Sequence, residues 1–124
     1  MFKTQDDKVR GITAAFAILE RWRVTPDQLQ GILGFPFGTQ VAEWKRGDLS
    51  SMPADVVSRL ALVVDIYQLL RKLPVGPNWL QLPQPSLNGV SPVARMASGD
   101  LGDLTAVRDT LSTLTRQIQM KGKA

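Results

Sequence analysis

Thr25-Pro26-Asp27-Gln28-Leu29-Gln30-Gly31-Ile32-Leu33-Gly34-Phe35-Pro36-Phe37-Gly38-Thr39-Gln40-Val41-Ala42-Glu43-Trp44-Lys45-Arg46-Gly47 is the stretch on which the fold turns. Thr25 is a capping residue, Pro26 fits a first helical position, and Gln28 stands where it closes a capping box. The helix so started presents Leu29, Ile32 and Leu33. It stops at Gly34, a residue free to take the left-handed conformation that helix ends need. After the turn Phe35-Pro36-Phe37, a second short helix carries Val41 and Trp44 three apart and ends at Gly47. Leu29, Leu33, Val41 and Trp44 can hold the two helices across one another, which is the pattern of a helix-turn-helix.

The flanks follow the same period. Val9, Ile12, Phe16 and Leu19 recur at steps of three and four, with Asp6 and Asp7 in the first turn, where negative charge suits the helix dipole; this predicts a helix over 6–23. Downstream, Ser51 can cap a helix reaching Leu73. Its Val56, Val57, Leu60, Ala61, Val63, Val64, Ile66, Leu69 and Leu70 are apolar over more than one face, so it must be covered on two sides. No segment alternates as a strand does, and the fold class expected is all-α.

Pro74-Val75-Gly76-Pro77 is a stiff joint, at which the chain divides into an expected domain 1–73 and an expected domain 74–124. Beyond it, residues 77–92 are rich in proline and lack a clear period, yet they hold Trp79-Leu80, whose apolar surface favours packing over solvent. Trp79 is read as an anchor to the long middle helix or the last one. Asn88-Gly89 supplies a turn and Ser91-Pro92 a helix start, while Gly99 and Gly102 set the turn into a last helix carrying Leu104, Val107, Leu111, Leu114 and Ile118. A frayed tail is expected from Met120.

Composition narrows the chemistry. The chain has 124 residues with neither Cys nor His, which removes Cys/His zinc sites, thiol and imidazole nucleophiles, disulfides and haem ligation. It also lacks a phosphate-cradling glycine loop and a prominent carboxylate pair. An enzyme is therefore not expected, nor any catalytic residue, metal site or cofactor. A net charge of +4 favours acidic partners without being polybasic. Residues 1–8 form no apolar leader and no stretch is long and apolar enough for a membrane span, so a soluble cytoplasmic protein is expected.

If the helix after Gly38 enters a major groove, its first turns face the bases, which places Gly38, Thr39, Gln40 and Glu43 at base edges and Lys45 and Arg46 at the backbone. Gln40 is of the type that pairs with adenine and Glu43 of the type that accepts from cytosine N4, although a leading glycine and a central acid make a weak reader. Lys45 and Arg46 also suit a solvated helix end, where cations favour the dipole. Trp44, sharing a face with Val41, reads as core. Stable operator binding calls for a homodimer.

Residues 6–73 resemble the Xre/Cro-type repressor fold: Leu29 to Gly34 look like its first helix and turn, and Val41 to Gly47 like its recognition helix and closing glycine. The second half resembles the toxin-binding domain of the Xre/MbcA/ParS antitoxins. The resemblance rests on the order Asn78-Trp79-Leu80-Gln81-Leu82-Pro83, Leu87-Asn88-Gly89-Val90-Ser91-Pro92, Ser98-Gly99-Asp100-Leu101-Gly102-Asp103-Leu104 and Ala106-Val107-Arg108-Asp109-Thr110-Leu111. Pro83-Gln84 and Asn88-Gly89-Val90 depart from that family's usual Pro-Asn and Gly-Gly.

The resemblance implies an Xre/Cro-like bundle followed by a small helical toxin-binding domain. It implies the antitoxin of a type II pair, which covers the active site of a RES-domain, NAD-consuming toxin and represses its own operon. Arg95, Arg108, Lys121 and Lys123 are the side chains suited to a partner's carboxylates, arginine pairing with them in bidentate geometry. The competing expectation is a free-standing regulator whose C-terminal helices dimerise or sense a ligand.

Overall fold

A computed structural model describes residues 4–123, with the backbone alone at positions 5 and 121–123. Six α-helices follow in order: α1 (Gln5–Arg21), α2 (Pro26–Ile32), α3 (Gly38–Lys45), α4 (Ala54–Leu70), α5 (Pro92–Met96) and α6 (Leu101–Lys123). Between α4 and α5 the chain makes two tighter helical turns, Gly76–Gln81 and Pro85–Leu87. The protein is all-α, and no strand occurs among the described residues.

Local chemistry accounts for most boundaries. Thr4 caps α1 by accepting from the Asp7 amide at 3.0 Å. Thr25 and Gln28 close the expected capping box on α2, the Gln28 amide donating to Thr25 Oγ1 at 3.1 Å and the Thr25 amide to Gln28 Oε1 at 2.9 Å. Ser91 caps α5 through the Ala94 amide.

Three expectations need correcting. The first helix stops at Arg21 instead of residue 23, because Arg23 turns left-handed at φ 58° and its amide bonds back to the Glu20 carbonyl. Ser51 does not cap α4: Pro53 holds that position, and the Ser51 hydroxyl faces α3, donating to Glu43 Oε2 and accepting from the Trp44 indole. The last helix runs through Lys123, past the point where fraying was expected.

α4 is the common wall. It packs against α1 on one side and α6 on another, and touches the turn Gly76–Gln81. Its Leu60, Val63 and Ile66 have no measurable exposure, like Ala15 of α1 and Leu104, Val107 and Leu111 of α6. Each large aliphatic so buried contributes roughly 1.5 to 3 kcal/mol of transfer free energy. Trp79, Leu80 and Leu87 bring the proline-rich segment into the same buried cluster. Asn88, left-handed at φ 58°, and Gly89 turn the chain so that the Gln84 amide donates to the Val90 carbonyl.

A polar clamp sits inside this apolar frame. Arg59 of α4 is only 6% exposed. Its Nε donates to Asp55 Oδ2 at 2.7 Å, Nη1 to the Ile32 carbonyl at 3.3 Å and Nη2 to the Gly99 carbonyl at 2.7 Å. One guanidinium thus ties the end of α2 to the turn before α6. Gly34, at φ +82°, leaves room for it, since a Cβ there would fall 2.9 Å from Arg59 Cζ.

Backbone meets backbone nearby. α2 packs on α5, and a Cβ on Gly31 would lie 1.8 Å from the Ala97 carbonyl oxygen. Gly31→Ala must therefore push α2 and α5 apart, at an expected cost of about 1 to 3 kcal/mol in urea denaturation. Arg59→Ala leaves the Ile32 and Gly99 carbonyls without their donor. A lost partner on a buried group costs roughly 1 to 3 kcal/mol, so the combined loss is expected at about 2 to 4 kcal/mol, read as a lower urea midpoint at unchanged slope.

Candidate nucleic-acid interface

The outward side of α3 follows from what its inward side must do. Val41 and Trp44 are buried, at 6% and 1% exposure, and fix the rotation of the helix against the core. Gly38, Thr39, Ala42, Lys45 and Arg46 are then left exposed along one stripe, with the space around Gly38 open. Phe37, immediately before the helix, is 78% exposed and Phe35 65%. The Phe35 ring abuts Gly99, whereas Phe37 stands clear at the start of α3.

The two polar readers expected at base edges are engaged within the protein. Gln40 Oε1 accepts from the Phe37 amide at 3.1 Å, closing half a capping box at the start of α3. Glu43 is half-buried and its Oε2 accepts from the Ser51 hydroxyl at 3.3 Å, a bond that braces α3 against the approach to α4. Gly38 and Thr39 stand at the exposed leading edge. Lys45 and Arg46 are exposed at the far end, and neither closes an ion pair among the described residues.

Lys45 also borders a groove of about 570 Å³ between α1 and α2, lined by Phe16, Glu20, Val24 and Leu29 among others. Just past α3, Asp48 accepts from the Ser50 hydroxyl and amide. These bonds, chiefly the hydroxyl's, with a smaller contribution from the Arg46 charge, hold its carboxyl below the ordinary range.

The cations expected to meet a protein partner are placed differently. Arg95 of α5 donates through Nε to Asp103, whose other oxygen accepts from the Ser98 hydroxyl. Arg108 of α6 donates to Asp109 at 2.8 Å and lies 3.7 Å from Asp65 of α4. Each arginine side chain is about a third exposed and already holds a carboxylate. The side chains of Lys121 and Lys123 lie outside the described residues.

Alongside α6 a cavity of about 450 Å³ is lined by Trp79, Gln84, Asp109, Thr110, Thr113 and Gln117 among others. The Trp79 indole N–H is buried without a protein acceptor. No helix among the described residues is long and apolar enough to cross a membrane.

Arg59 and Phe37 were not picked out in the sequence. For Arg59 the available signal was its spacing, since it stands three residues after Val56 and four before Val63, on an otherwise apolar face. For Phe37 the sequence carried no distinguishing signal, since Leu33 and Val41 stand four residues away on either side.

No family model matches the chain. Among curated proteins it is similar to the uncharacterized protein y4oB of Sinorhizobium fredii, at 31% identity over 104 residues covering 81% of this chain and 80% of the relative. The chain belongs to the same family as y4oB. No solved structure matches it.

Asp103 yields a pH test. Hydrogen bonds from Ser98 and then Arg95 hold its carboxyl below the usual range. A folded pKa below the unfolded one means that the ionised group stabilises the fold at neutral pH and that this contribution is lost as pH falls through the acid range. Asp103→Asn should lower Tm at pH 7, and the gap from wild type should narrow as the pH falls below about 4. A gap that stays constant as the pH falls would mean that the charge of Asp103 is not what stabilises the turn.

Proposed function

We propose that the protein is a DNA-binding antitoxin of the Xre/MbcA/ParS kind, which represses its own operon as a homodimer and neutralises a RES-domain, NAD-consuming toxin by covering its active site. The observation that carries the DNA half is α3, held by Val41 and Trp44 with an exposed stripe ending in Lys45 and Arg46. Such a helix can seat its first turns in a major groove while the two cations meet phosphates. The toxin half is supported by the motif order over residues 78–111. On this reading the chain works in the cytoplasm and is not itself an enzyme.

A second reading is a free-standing regulator whose C-terminal helices dimerise or sense a ligand. Its support is that Arg95 and Arg108 already hold carboxylates within the fold.

The test uses the whole chain, because α4 is covered from both halves and a cut near Pro74 would strip one side of it. The full-length protein should shift duplex DNA from upstream of its own gene. Arg46→Ala should weaken all duplexes alike and lower the salt slope by about one per protomer. Co-expressed with a neighbouring RES-domain enzyme, it should co-purify with that enzyme and preserve cellular NAD. DNA binding without co-purification or NAD protection would favour the second reading, and no DNA binding at low salt would end the repressor assignment.

A further inference from the structure

We propose that α3 reads thymine methyl groups, through Phe37 just ahead of the helix and Thr39 and Ala42 on its exposed stripe. The inference rests on the DNA-binding reading above and specifies which chemistry of the base pair is recognised.

Gln40 and Glu43 both turn toward the protein. Bidentate pairing with adenine needs both the oxygen and the nitrogen of a side-chain amide, and the oxygen of Gln40 is committed to the Phe37 amide. Reading a cytosine amino group takes a carboxylate oxygen held at the base edge, and Glu43 is instead half-buried with Oε2 turned to the Ser51 hydroxyl. Releasing either would unfasten the start of α3 or its brace to the approach of α4.

What stays outward is apolar or small. Phe37 is 78% exposed, Thr39 and Ala42 lie three apart on one ridge, and Gly38 adds no bulk. Among base-edge features of the major groove, the C5-methyl of thymine is the apolar one, and phenylalanine, alanine and the threonine methyl are suited to touch it. The groove is about 12 Å wide and a helix with its side chains about 10 to 12 Å across, so small residues on the leading ridge favour close approach.

Charge places the same ridge against DNA. Lys45 and Arg46 follow Ala42 by three and four residues, exposed and without an ion pair among the described residues. An apolar tip followed one turn later by two cations matches a methyl-bearing groove floor flanked by phosphates. It matches a purely apolar protein surface less well, since such a surface would leave both cations without counter-charges.

The experiment measures affinity of the full-length protein, at one fixed salt concentration, for its upstream duplex and for the same duplex with deoxyuridine replacing thymine. Removing a methyl contact should weaken binding about fourfold per methyl. Phe37→Ala should bind the thymine duplex more weakly, lose much of the discrimination against deoxyuridine, and keep the wild-type salt slope.

Equal wild-type affinity for both duplexes would overturn the inference while leaving the DNA-binding reading intact. So would an undiminished deoxyuridine penalty in Phe37→Ala, because the penalty would then reflect duplex shape. Phe37→Ala that leaves DNA affinity unchanged but dissociates the dimer would assign the tip to a second copy of the chain. No binding to either duplex would overturn this inference and the DNA-binding reading together.

Discussion

A single guanidinium holds together two distant segments of this chain, the end of α2 and the turn before α6. Arg59 lies within the apolar frame, and its donors close on Asp55 of its own helix, on the Ile32 carbonyl and on the Gly99 carbonyl. Burying such a charge is tolerable only when its donors are satisfied, so Arg59 requires that α2 and the turn before α6 be correctly placed at once. Gly34 makes space for the guanidinium and Gly31 lets α2 meet the backbone at Ala97, while Phe35 abuts Gly99 on the outer side. The turn between α2 and α3 is therefore built partly from residues on the far side of the sequence. The turn before α6, where Ser98, Asp103 and Arg95 interlock, thus lies against the turn that leads into α3.

The fold was legible wherever local chemistry decides it. Thr25-Pro26-Asp27-Gln28 carries its capping box in adjacent letters, and the spacing of Val41 and Trp44 sets the rotation of α3 without help from afar. The two-sided burial of α4 could likewise be read from its composition, because an apolar circumference cannot be left in water. Less legible were features that depend on a distant partner. Ser51 has the chemistry of a cap, yet it is drawn to Glu43 and Trp44 of the preceding helix. Arg23 closes α1 in a left-handed conformation more usual for glycine or asparagine, and no sequence rule favours an arginine there.

The site was harder to read than the fold for a related reason. Residue type names what a side chain can do, whereas neighbours determine what it has left to do. Gln40 and Glu43 have the functional groups of base readers, but the Gln40 oxygen and one oxygen of Glu43 already serve the protein. Arg95 and Arg108 have the groups of partner-binding arginines and are similarly occupied. Lys45 and Arg46 remain available because they lie past the buried face of α3, at an end where the helix dipole also favours them.

The central position of α4 has a temporal side. α4 ends at Leu70, whereas α6, which covers one of its faces, begins only at Leu101. At roughly 5 to 20 residues per second on the ribosome, this interval lasts about 2 to 6 seconds. During it the nascent chain carries Arg59 without its Gly99 acceptor and an apolar face with nothing laid against it. The face of α4 that α6 seals therefore waits on residues made well after α4 itself, and its burial comes late in the assembly of this buried cluster.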